Sequence, residues 1–136
     1  MSKRTVVQVI ASSVNAYWNC VQKAPTQPHL EEWIQKHAAN ANELVAEYLP
    51  SGSGFDSATT LDLEMSSPDG NKLVFYTSFH HMDEYGEYDG WTSHTVTVRP
   101  SFVHRLDIKI SGRNRGDIKE YVHEAFYCAL TQEIDV

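Results

Sequence analysis

Seven histidines stand in the chain, and four of them, with one carboxylate, have the residue types of a metal centre. His80 and His81 are followed by Asp83, while His94 and His104 fall in neighbouring stretches that read as strands. Neutral imidazole and carboxylate are legitimate zinc or iron ligands. Strand alternation, however, sends His80 and His81 to opposite faces. If His94 lies opposite Thr77, His81 sits beyond it toward the loop, so three convergent ligands would have to come from the loop itself. Neither a HExxH nor a paired CxxC pattern is present. The histidines therefore read as structural, with no metal and no cofactor expected. The alternative is a small metal-assisted hydrolase using His80, His81, Asp83 and His94.

Other chemistries find less. Ser51-Gly52-Ser53-Gly54 lacks the GxxxxGK[ST] pattern and precedes a strand, so it reads as a connecting loop rather than a phosphate cradle. Gly112-Arg113-Asn114-Arg115-Gly116 is better placed, because Arg113 and Arg115 beside a helix start could hold an anion; the alternative is a solvated loop. Cys20 and Cys128 fall inside predicted helices and read as packing residues, and two thiols make no disulfide framework. There is no GxSxG elbow and no recognisable Cys/His arrangement. No catalytic residue is assigned.

The segment from His80 to Trp91 is the most unusual. It joins two strands that a tight turn could have joined, yet carries four carboxylates interleaved with aromatic rings. Long loops of this kind are often functional. Glu87 and Asp89 flanked by glycines lack the spacing and distal glutamate of a calcium loop. Asp83, Glu84, Tyr85, Glu87, Tyr88, Asp89 and Trp91 instead combine steering charge with ring area, the means by which one protein holds a basic patch on another. The alternative is a long solvated hairpin whose Trp91 packs on the core. Net charge is −7, and its distribution matters more than its size. Residues 59–98 carry only Lys72 against seven carboxylates, a balance of −6, while residues 99–136 are neutral. No basic stripe is available to neutralise phosphate. The expected partner is a protein with a basic surface, not nucleic acid.

These residues need a frame, and 136 residues with 41% hydrophobic and 21% charged composition fit one globular domain spanning 1–136. Val6, Ile10, Val14, Tyr17, Trp18 and Val21 recur at helical spacing, as do Leu30, Trp33, Ile34, His37, Ala38, Ala41, Leu44, Val45 and Tyr48. Pro25 to Pro28 divides the two stripes, which predicts a helical hairpin. Strands are predicted at Thr60–Met65, Lys72–His80, Thr92–Arg99 and, after a turn at Pro100-Ser101, at a fourth with His104, Leu106, Ile108 and Ile110 inward. Ile118, Tyr121, Val122, Ala125, Phe126, Ala129 and Leu130 predict a final helix, capped by Asp117 or Asn114. The fold class is α+β: two N-terminal helices, a four-stranded antiparallel meander and a C-terminal helix, with the helices on the sheet's apolar face. No long apolar run suggests a membrane span or signal peptide, so a soluble, cytoplasmic protein is expected.

From Ser51 to about Leu130, several runs carry a resemblance. They are Ser-Gly-Ser-Gly-Phe-Asp from Ser51, Phe79-His80-His81-Met82-Asp83-Glu84, Tyr88-Asp89-Gly90-Trp91-Thr92, His94-Thr95-Val96-Thr97-Val98 and Ile110-Ser111-Gly112-Arg113-Asn114-Arg115. This region resembles small proteins carried by bacteriophages and other mobile elements. The resemblance brings no activity and no site residue with it. By analogy it implies a non-enzymatic inhibitor of host defence, of the anti-CRISPR or anti-restriction kind.

Overall fold

Thr5 starts the first helix with a reciprocal cap. Its hydroxyl accepts the Gln8 N–H at 3.4 Å, and the Gln8 side-chain oxygen accepts the Thr5 N–H at 3.0 Å. The computed structural model describes residues 3–51, 55, 59–100 and 106–135. In chain order these form β1 (Lys3–Thr5), α1 (Val6–Lys23), α2 (Leu30–Tyr48), β2 (Thr60–Leu61), β3 (Leu73–Met82), β4 (Tyr88–Pro100), β5 (Leu106–Ile110), α3 (Ile118–Thr131) and β6 (Glu133–Asp135). The α+β class and the helix order are those the periodicity predicts. Among the described residues, no helix is long and apolar enough to cross a membrane.

β2, β3, β4 and β5 form one antiparallel sheet in that order. Leu61, Leu73, Phe75, Val96, Val98 and Ile108 share its inward face and join Val6, Ile10 and Val14 of α1 and Val122, Phe126 and Leu130 of α3 in one core. The rings of Phe75 and Phe126 lie 5.9 Å apart at its centre. α1 packs along α2, and the Asn40 amide donates to the Ser13 hydroxyl between them at 3.0 Å. The expected place of His104 on the inward face lies outside the described residues.

Several expectations are corrected. Trp33 is 46% exposed, with the Lys36 ammonium 4.7 Å from its ring centre, instead of lying in a buried stripe. Cys128 is exposed on α3 rather than packed. The strand predicted at Thr60–Met65 stops at Leu61, because Asp62 closes a turn there. Its backbone carbonyl accepts the Ser66 N–H at 3.1 Å, and its carboxylate accepts the Met65 N–H at 3.0 Å and the Tyr76 hydroxyl at 2.7 Å. An aspartate that bonds its own neighbourhood outcompetes a strand ladder. The β1–β6 pair was not expected. It joins Lys3 to Asp135, Arg4 to Ile134 and Thr5 to Glu133, bringing the two ends of the described chain together.

Phe126 is fully buried. Phe126→Ala should therefore cost about 3–5 kcal/mol in urea denaturation. A loss well under about 1 kcal/mol would show that α3 does not close the core.

Candidate functional site

The acidic-aromatic segment is not a long loop. β3 continues to Met82 and β4 begins at Tyr88, leaving only residues 83–87 between them. Asp83 makes so short a turn possible. Its N–H donates to the Glu87 carbonyl at 2.8 Å, and its carboxylate accepts the N–H groups of Tyr85 and Glu87, both at 2.9 Å. This carboxylate holds the turn instead of facing outward as steering charge.

Strand register then decides what each face carries. His80 pairs with Trp91 and Met82 with Tyr88, so β4 holds one residue more than β3 over this interval. That extra residue is a bulge at Asp89-Gly90, with Gly90 at φ +87°, a left-handed conformation that costs glycine little. Simple alternation would send Tyr88 and Trp91 to opposite faces; the bulge puts both on the outer one. The Tyr88 ring meets the His80 ring edge-on at 5.0 Å. Met82, Tyr88 and Trp91 are 68%, 57% and 59% exposed, and Tyr85 at the tip is 82% exposed. Trp91 thus does not pack on the core. Farther along, the outer face carries Tyr76, Ser78, Ser93 and Thr95, so it is aromatic and hydroxylated, although residues 59–98 as a whole are acidic. The exposed carboxylates Glu84 and Glu87 gather at the tip.

Asp89 turns the other way. Arg115 donates to its backbone carbonyl at 2.6 Å and forms an ion pair with its carboxylate. One residue expected to meet a partner and one expected to hold an anion are thereby engaged with each other across the bulge. Arg113 is exposed in the same loop.

On the inner side, the Thr92 hydroxyl lies 2.8 Å from His81 Nε2 and 2.8 Å from His94 Nε2, and His94 Nδ1 lies 3.0 Å from the Ser111 carbonyl. The carbonyl only accepts, so His94 carries its proton on Nδ1. In the neutral ring Nε2 then accepts the Thr92 hydroxyl, and that oxygen accepts a proton from His81 Nε2. Gly112 permits this approach, since a Cβ there would stand 2.4 Å from the Ser93 carbonyl oxygen. His81 also borders a shallow cavity of about 390 Å³ with Phe79, Arg115, Ile118 and Tyr121. Burial, and then the Arg115 charge, lower the His81 pKa below the ordinary 6.5.

The histidines among the described residues do not converge as metal ligands. His80 faces outward, His81 and His94 face inward, and Asp83 is held in the turn. Among the described residues no three His, Cys, Asp or Glu side chains converge as ligands, and His104 lies outside them. The hydrolase alternative lacks its ligand set. No family model, curated protein or solved structure matches the chain, so the site is read from its own geometry. The sequence pattern points to the residues of the hairpin but not to Met82 as part of its surface. The glycine after Asp89 was the one available sign of the bulge.

Titration of the histidine rings followed by NMR should give His81 a midpoint below 6.5, rising in Arg115→Met. A histidine whose pKa is lowered by folding contributes stability that is present above the unfolded value and lost as pH falls through the folded one. Acidification from about pH 7 to pH 5 should therefore destabilise the wild type more than His81→Gln. A midpoint above 6.5 would contradict the burial and charge assigned to this ring.

Proposed function

We propose that this chain is a non-enzymatic binding protein that docks on the basic surface of a protein partner through the outer face and tip of the β3–β4 hairpin. One observation carries the reading: Met82, Tyr88 and Trp91 stand together on an uncovered sheet face, each more than half exposed, beside the carboxylates of Glu84 and Glu87. Large rings and a thioether left in water constitute apolar surface that association would bury. Trp and Tyr are the side chains that most often anchor interfaces, and charges at the rim set the encounter rate. The hairpin thus divides the labour. Tyr85, Tyr88, Trp91 and Met82 supply contact area, Glu84 and Glu87 supply steering, and Asp83 and Asp89 keep the scaffold in shape.

Basic protein surfaces commonly serve to bind phosphate backbones, so a protein docked on one excludes nucleic acid from it. Together with the resemblance to mobile-element proteins, this points to inhibition of a host nucleic-acid-handling defence complex in the cytoplasm. Direct binding of nucleic acid by the hairpin is disfavoured, since Glu84 and Glu87 would repel phosphates.

A photo-crosslinking residue at position 85 should capture the partner, whereas one at position 36 on α2 should not. With that partner purified, Glu84→Lys combined with Glu87→Lys should slow association about tenfold at low ionic strength, with the difference vanishing near 0.5 M salt, roughly where surface charges are screened. Trp91→Ala should raise the dissociation rate by about thirtyfold, as loss of a buried anchor would. Unchanged affinity in these variants, with binding lost in Arg113→Ala, would move the working surface to the loop before α3.

A further inference from the structure

A second surface, at the edge of the sheet, makes a separate proposal. β5 pairs with β4 on one side, and among the described residues no strand pairs with its other side. The Ser111 N–H donates to the Thr95 carbonyl at 2.9 Å, which makes Thr95 and Ser111 a hydrogen-bonded pair in the β4–β5 register. Such pairs alternate along an antiparallel ladder. The backbone groups of Asp107 and Lys109 therefore point at β4, while those of Leu106, Ile108 and Ile110 point at the open edge. An exposed row of N–H and C=O groups is a template for another strand.

From this edge we infer that the chain forms a two-fold symmetric dimer in which β5 pairs antiparallel with β5 of a second copy, centred on Ile108. Charge selects both the occupant and the register. With the axis at Ile108, Asp107 stands opposite Lys109 of the other copy, and Lys109 opposite its Asp107, at the close non-hydrogen-bonded positions. Moving the axis by one residue sets either Asp107 or Lys109 against its own copy, which is repulsive. In the favoured register Ile108 meets Ile108 and Leu106 meets Ile110, so all the outward-pointing backbone groups find partners and the two chains exchange about six hydrogen bonds. Arg99, the β4 partner of Asp107, extends the alternation of charge across the junction.

The inner side suits the same arrangement. Leu106 and Ile110 remain half-buried on β5. An open cleft of about 440 Å³ runs between Ile110 and the Lys119, Glu120, His123 and Glu124 side of α3. Pairing across a two-fold axis perpendicular to the sheet places both α3 helices on one face of a continuous sheet, so each closes the other's cleft with a surface bearing both signs of charge. The hairpin surfaces stay free, and this dimer stands or falls independently of the docking reading.

Sedimentation equilibrium of the full chain across micromolar concentrations, with circular dichroism to verify folding, tests the inference. The wild type should be dimeric. Ile108→Pro removes an N–H that points away from β4; it also thins the core at Ile108, and the folded protein should be monomeric. Asp107→Lys and Lys109→Asp should each weaken self-association about tenfold, and mixing the two in equal amounts should restore a dimer by pairing two positive positions with two negative ones. A monomeric wild type at about 100 µM, or a dimer unchanged in folded Ile108→Pro, would overturn the proposal; if proline prevents folding, failure of the two charge variants to complement each other would do so.

Discussion

One contact fixes the geometry on which the hairpin depends: Arg115, from the loop before α3, engages both the carbonyl and the carboxylate of Asp89. Asp89 and Gly90 are the bulge, and the bulge determines which face every residue on the tip side of β4 presents. Without the extra residue, an outward Trp91 would require an inward Tyr88, and the aromatic surface would be split across the sheet. A partly exposed ion pair adds little stability in isolation. Its structural consequence is larger, since it ties the tip of a long hairpin to the loop that starts the final helix.

The same region explains why a histidine-rich segment need not bind metal. His81 Nε2 and His94 Nε2 do aim at one point, but the Thr92 hydroxyl occupies it and orders their protons in a line ending at the Ser111 carbonyl, and no third ligand among the described residues joins them. A neutral, hydrogen-bonded histidine is also an economical way to carry a polar side chain into the packed end of the sheet. Only Thr77 Oγ1, on the residue opposite His94, is buried without a hydrogen-bond partner among the described residues.

What could be read in advance followed from periodicity. Ile10 and Val14 at helical spacing, Phe75, Val96 and Val98 at alternate positions, and Val122, Phe126 and Leu130 on α3 all stand in the core because apolar burial repeats with the backbone. The misreadings have a common cause as well. Composition presents Asp62, Asp83 and Asp89 as charge for solvent, and each carboxylate instead bonds specific groups that bend or pin the chain. Composition gives a carboxylate its charge but not its partner. The bulge was illegible for a related reason, since alternation assumes an unbroken register, and one glycine does not announce where the register slips. β1 and β6 are three residues each and pair across nearly the whole chain, too short for alternation to register.

On the proposed reading, the aromatic face and the acidic tip make the hairpin an interaction element, mounted on a sheet whose other face is filled by helices. Exposed Trp91, Tyr88 and Met82 are meaningful in this account because something covers them. Hydroxyl-radical footprinting of the protein alone and with its captured partner tests that directly. The account predicts protection of Trp91, Tyr88 and Met82 in the complex, with Trp33 on α2 and Met65 in the turn after β2 oxidised as before; protection of Trp33 with the hairpin rings still fully reactive would contradict it.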